Sequence, residues 1–140
     1  MQKIPSFPLW IGNTGDGRDH RVLAKCGVHA VLQLAGEEPA LELPLDVMHF
    51  RIPILDSVGN ISHRLILASN VLTTLLTNNI TTLVCCSDGN GRSLAIAACA
   101  IGQLNGQTPF DSLKFVQEHH ATSISAGLWN DLLLSYSQAS

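Results

Sequence analysis

The sequence predicts an α/β layered domain. Three observations lead there. Short runs of β-branched and apolar residues occur at 30–34 (AVLQL), 48–54 (MHFRIPI) and 82–85 (TLVC). Other stretches repeat apolar residues at three- and four-residue spacing, as in Ile61, Leu65, Ala68, Leu72 and Leu75. The two kinds of segment alternate along the chain, which favours helices layered on a sheet.

In chain order, 9–11 predicts a short opening strand, followed by the turn residues GNTGDG. A helix is expected over 18–26, with Gly27 placed to stop it. The strand at 30–34 leads into an ambiguous stretch, 35–44, with two prolines and three glutamates. Residues 48–54 alternate and predict a strand whose Pro53 implies an edge or a strand end. The amphipathic helix from Ile61 ends near Asn78 and Asn79. The strand 82–85 runs through SDGNGR into 93–104, which is apolar all round and so predicts a central buried helix. Asn105 and Gly106 end it. Thr108 followed by Pro109 predicts an N-cap and a first helical position for a helix to His119. A last helix is expected over 127–136, with Trp129 as its packing anchor.

The 140 residues fit one domain, 1–140, long enough to bury a core. The chain is 46% hydrophobic and only 14% charged, which excludes disorder and suggests a surface that meets a partner. A net charge of −3 without a basic run disfavours nucleic acid and acidic membranes as partners. No apolar stretch reaches the roughly eighteen residues of a membrane span. The first residues lack the apolar core of a signal peptide, so a cytoplasmic location is expected. Cys26, Cys85, Cys86 and Cys99 match neither a zinc knuckle nor a disulfide framework. The six histidines show no ligand spacing. No metal and no cofactor are expected.

The informative stretch is TTLVCCSDGNGRSLAIAACAI. A strand end, a cysteine, a glycine-containing loop, an arginine and a helix follow one another directly. Gly89 and Gly91 permit backbone geometries other residues resist. The N–H groups of Ser87, Asp88, Gly89, Asn90 and Gly91 can then curl into an anion-binding nest. The helix beginning near Arg92 aims its positive end at the same point. Arg92 can grip two phosphate oxygens through its planar fork. A thiol in that field, Cys86, is expected as thiolate, the nucleophilic form. Ser93 can donate a hydrogen bond to the sulfur. Cys85 and Cys99 read as buried residues of strand and helix, and Glu37 and Glu38 as solvated loop charges.

The pattern C-x-x-G-x-x-R-S, at Cys86, Gly89, Arg92 and Ser93, resembles the signature of cysteine-dependent protein phosphatases, and the size and element order resemble their dual-specificity branch. The segments LWIGN, GVHAVLQLA, RIPILDS and LWNDLL extend the resemblance over most of the chain. It implies a short, mainly parallel sheet with helices on both sides. It also implies a general acid on a loop about thirty residues before the nucleophile. Asp56 stands 30 residues before Cys86. The implied reaction has two steps, through phosphocysteine, with Asp56 protonating the leaving oxygen and then activating water. Asp56 also reads as a turn aspartate, and Asp88 is a rival acid. The implied partner is a phosphorylated protein or a small phosphate ester.

Two positions depart from the family pattern. Cys85 stands where histidine usually precedes the nucleophile, and Asp88 where a small residue is common. The string CSDG also occurs in myotubularin-type phosphoinositide phosphatases, which raises a lipid or inositol phosphate substrate; another small phosphate ester or an RNA 5′-triphosphate belongs to the same alternative. Those enzymes carry a further aspartate where this chain has Gly91. A non-catalytic phosphate-binding module is a further alternative. Sulfur transfer or arsenate reduction ranks below it.

Overall fold

A computed structural model describes residues 1–139. Five strands form one sheet: β1 (Gln2–Ile4), β2 (Leu9–Asn13), β3 (Ala30–Ala35), β4 (Met48–Ile54) and β5 (Thr82–Cys86), in the spatial order β1-β2-β5-β3-β4. The four strands from β2 to β4 are parallel, and only β1 runs antiparallel, paired to β2. This is the mainly parallel sheet expected, with β5 at its centre and the Pro53 strand at an edge.

Side chains alternate across β3 and β5. Leu32, Leu34, Val84 and Cys86 enter the larger core, under α3 (Ser62–Thr77), α4 (Arg92–Asn105), α5 (Pro109–His119) and α6 (Ala126–Ala139). Val31, Leu83 and Cys85 enter the smaller core on the other face, with Leu23 of α2 (His20–Lys25). The helices therefore cover both faces. Among the described residues no helix is long and apolar enough to cross a membrane.

Helix α4 is buried from Arg92 to Gly102, as a helix apolar all round must be. Thr108 caps α5 by accepting the Asp111 N–H at 3.2 Å, with Pro109 in the first turn. Trp129 packs, partly buried, against the larger core.

Three expectations need correction. The helix expected at 18–26 is α2, which begins at His20, and the stretch expected as a turn before it holds a further short helix. Asn13 and Asp16 form a capping box that turns part of GNTGDG into α1 (Thr14–Arg18), and Asp19 then caps α2 by accepting from Val22 N. Ile61 is not on the buried stripe of α3; it precedes the first turn and is half exposed. Strand β1 has no counterpart in the sequence reading. Three residues ahead of a proline-containing turn are too short for periodicity to show.

Candidate active site

The centre of the sheet positions the site. Strand β5 ends at Cys86, the loop 87–91 follows, and α4 begins at Arg92. The Thr14 hydroxyl donates to the Cys86 carbonyl at 3.2 Å, tying α1 to the strand end. The Ser123 N–H donates to the Asn90 carbonyl at 2.7 Å, tying the α5–α6 connection to the loop. Gly89 adopts φ +80°, and a Cβ there would stand 2.8 Å from the Gly12 carbonyl carbon, so the loop needs glycine for conformation and for space.

Cys86 is buried at the base of this loop. Cys85 is buried too, on the opposite face of the sheet, so the neighbouring thiols point into different cores. Burial, with the nearby Cys86 and Asp16 charges, pushes the Cys85 thiol up to about 12. Burial also pushes the Cys99 thiol up to about 12. Both are packing residues, as the sequence suggests.

Arg92 is 4% exposed and its guanidinium is fixed by four bonds. One terminal nitrogen donates to Glu37 Oε1 at 2.7 Å and to the Ile54 carbonyl at 3.0 Å. The other donates to Glu37 Oε2 at 2.7 Å and to Ser87 Oγ at 3.2 Å. The remaining donor, Nε–H, is buried with no hydrogen-bond partner among the described residues, and so is Ser93 Oγ. A buried orphan donor is costly, and the two orphans flank the start of α4. Glu37 occupies the terminal fork with which Arg92 was expected to grip two phosphate oxygens.

Glu37 overturns its expected role as a solvated loop charge. The hydrogen bond from Arg92 pulls its carboxyl from 4.5 to about 2, against the opposing effect of burial, while the Arg92 charge and the Ser87 hydroxyl add to the lowering. In return the Glu37 hydrogen bond makes Arg92 harder to deprotonate, with the Glu37, Cys86 and Asp56 charges adding to it. The segment carrying Glu37 is pinned from below. Gln33 of β3 donates to the Pro39 carbonyl at 2.8 Å and accepts from Leu41 N at 3.1 Å. Arg51 of β4 donates to the Glu38 carbonyl at 2.9 Å. Gly36 lies so close to Pro53 that a Cβ would stand 2.8 Å from the proline Cβ. Two adjacent glutamates in an aperiodic stretch give no sequence signal for a bond to an arginine 55 residues away.

Asp56 comes to the loop from the other side, on the segment after β4. A Cβ built on Gly91 would stand 3.4 Å from Asp56 Oδ1. A cleft of about 260 Å³ opens here, lined by Glu37, Pro53, Leu55, Asp56, Arg64 and Arg92. Asn60 holds the segment's shape, accepting from Leu55 N at 2.8 Å while its own N–H donates to Asp131 of α6 at 3.1 Å. Asp88 turns back toward the end of β5, its Oδ1 3.7 Å from Cys86 Sγ. Cys86, the loop, Arg92, Ser93 and Asp56 thus gather at one end of the parallel strands. Among the described residues no cluster of histidine, cysteine and carboxylate side chains could hold a metal ion.

No protein-family model and no curated protein matches the sequence. Solved structures do match the fold. Human DUSP28 superposes with a TM-score of 0.82 at 18% identity, covering 94% of this chain and 93% of that one. The human tyrosine phosphatase-like serine/threonine/tyrosine-interacting protein gives 0.81 at 21% identity, covering 99% and 97%. The Cydia pomonella PTP-2 phosphatase gives 0.77 at 23% identity, covering 93% and 86%. At these identities the likeness is one of fold, and the chain has the fold of the dual-specificity cysteine phosphatases.

Proposed function

We propose that the chain is a single-domain phosphate monoester hydrolase working through a phosphocysteine intermediate, of the protein tyrosine or dual-specificity type. The observation that carries this reading is the pair of buried orphan donors, Arg92 Nε–H and Ser93 Oγ–H, beside a cysteine at a strand end. An oxyanion in the loop would accept from the arginine, and the sulfur would accept from the serine.

In the first step Cys86 Sγ attacks phosphorus as thiolate, forming the S–P bond. The ester P–O bond breaks, and its electron pair leaves on oxygen, which takes a proton from the Asp56 carboxylic acid. In the second step the Asp56 carboxylate takes a proton from water. The hydroxide oxygen bonds phosphorus, and the S–P pair returns to sulfur, where Ser93 stabilises it. Glu37 acts through Arg92, holding the guanidinium so that Nε–H faces the loop. Asp56 at Gly91 supports its role over that of Asp88, which lies beside the sulfur rather than across the loop.

The test is hydrolysis of p-nitrophenyl phosphate with chelator present. The reading expects turnover that Cys86→Ser abolishes and that Asp56→Asn reduces most for esters with poor leaving groups. A second reading, a phosphate-binding module without turnover, is supported by Glu37 on the Arg92 fork and Asp88 beside the thiol. Vanadate binding with no hydrolysis by the native chain would favour it.

A further inference from the structure

The segment carrying Asp56 and the loop carrying Gly91 share one support. Residues 55–60 belong to no helix or strand, so their backbone has no ladder to hold it. Asn60 closes the segment on both sides of Asp56. Its side chain accepts from Leu55 N at 2.8 Å and donates to the Leu55 and Ser57 carbonyls, each at 3.0 Å. The Asn60 backbone N–H then donates to Asp131 Oδ2, in α6, at 3.1 Å. About one turn earlier in α6, Gly127 lies against Val58. A Cβ on Gly127 would stand 2.6 Å from Val58 Cγ1 and 2.8 Å from Val58 N.

The same stretch of chain holds the loop. Ser123 N–H donates to the Asn90 carbonyl at 2.7 Å. A Cβ on Gly91 would stand 3.0 Å from the Ser123 carbonyl oxygen and 3.4 Å from Asp56 Oδ1. Gly91 is therefore bracketed by the carboxylate and by the support. Ser125 fixes where α6 starts, its Oγ accepting from Leu128 N and its carbonyl from Trp129 N, both at 3.1 Å. Leu128 and Leu132 anchor the helix in the larger core.

We infer that Asn60 and Asp131 are positioning residues for the general acid, through which α6 sets where Asp56 stands beside Gly91. The proton passes from the Asp56 carboxyl to the leaving oxygen. Asn60 and Asp131 act only through the backbone that carries that carboxyl. Catalytic groups lose their effect steeply with misplacement, about a hundredfold for about 1 Å. The inference rests on the reading of Asp56 as the acid and names what aims it.

The test compares kcat/KM for phenyl phosphate, which has a poor leaving group, with that for p-nitrophenyl phosphate, which has a good one. Both constants cover the steps up to phosphoryl transfer, so their ratio reads the help given by the acid. Partial unfolding lowers both esters alike and leaves the ratio unmoved. Asp131→Ala is expected to lower the ratio on the order of tenfold. Asp131→Asn, which keeps an acceptor for the Asn60 N–H, should keep the native ratio. Gly127→Ala retains every polar group but sets a Cβ against Val58, and should lower the ratio as Asp131→Ala does. In an Asp56→Asn background neither alanine should lower it further. An Asp56-dependent ratio that Asp131→Ala and Gly127→Ala both leave unchanged overturns this inference alone, as does a drop of equal size in the Asp56→Asn background. Hydrolysis of neither ester, or a ratio that Asp56→Asn leaves unchanged, sinks the phosphatase reading and this inference with it.

Discussion

At the scale of single residues, the Glu37–Arg92 pair organises the site. Arg92 is buried and Glu37 is 57% exposed, so the pair lies at the cleft wall rather than in a dry core. Replacing Glu37 by Gln leaves Arg92 its Ile54 and Ser87 partners but removes the opposite charge. The expected cost is about 1 kcal/mol of folding stability near neutral pH, discounted for solvent screening. Its sign with pH follows from the lowered carboxyl. A group with folded pKa below its unfolded value adds stability above the unfolded value, and loses it as pH falls through the folded one. The gap between native and Glu37→Gln should thus be full above about 4.5 and close toward about 2. Denaturant midpoints across that window check it; a constant gap would contradict it. Arg92→Lys, which keeps the charge but not the planar geometry, is expected to lower hydrolysis on the order of a hundredfold. Steady-state rates with p-nitrophenyl phosphate measure this.

Among the elements, strand β5, the loop and α4 form a unit that was legible in sequence because it is local. A strand end, Gly89, Arg92 and an all-apolar helix lie within about twenty residues, and each constrains the next. Gly89→Ala places a Cβ at φ +80° and 2.8 Å from the Gly12 carbonyl carbon. It should cost about 1–3 kcal/mol and lose vanadate-induced stabilisation, measured as a thermal shift. An unchanged melting temperature would show that the loop relaxes freely. Cys85→Ala is a contrasting case. Its side chain lies in the smaller core, so hydrolysis should stay within about twofold while stability drops by about 1 kcal/mol. The elements missed by sequence fail for physical reasons. Strand β1 is stabilised by pairing to β2 rather than by its own pattern. The Asn13 cap starts α1 inside the expected turn, and the Asp19 cap starts α2 afresh, in competition with a continuous helix.

Across the whole molecule, the parallel sheet brings distant segments to one end. Glu37 follows β3, Asp56 follows β4, and Cys86 ends β5. Three neighbouring parallel strands therefore end on a carboxylate, a second carboxylate and a thiol at one end of the sheet, the two carboxylates lining one cleft with Arg92. The position of Asp56 was inferable through its spacing from Cys86 in a recognised pattern. The position of Glu37 was not, because strand order across a sheet sets it. The carbon skeleton of that delivery is the core under α4, where Leu94 and Ile96 are fully buried.

A phosphocysteine at Cys86 would be seen most directly by mass spectrometry after rapid quench. The chain to use is Asp56→Asn turning over p-nitrophenyl phosphate, whose good leaving group needs little acid help while hydrolysis of the intermediate is slowed. The expected result is one phosphoryl group on the peptide carrying Cys86, absent from Cys86→Ser. Hydrolysis with no adduct there, or an adduct on another residue, would contradict the mechanism.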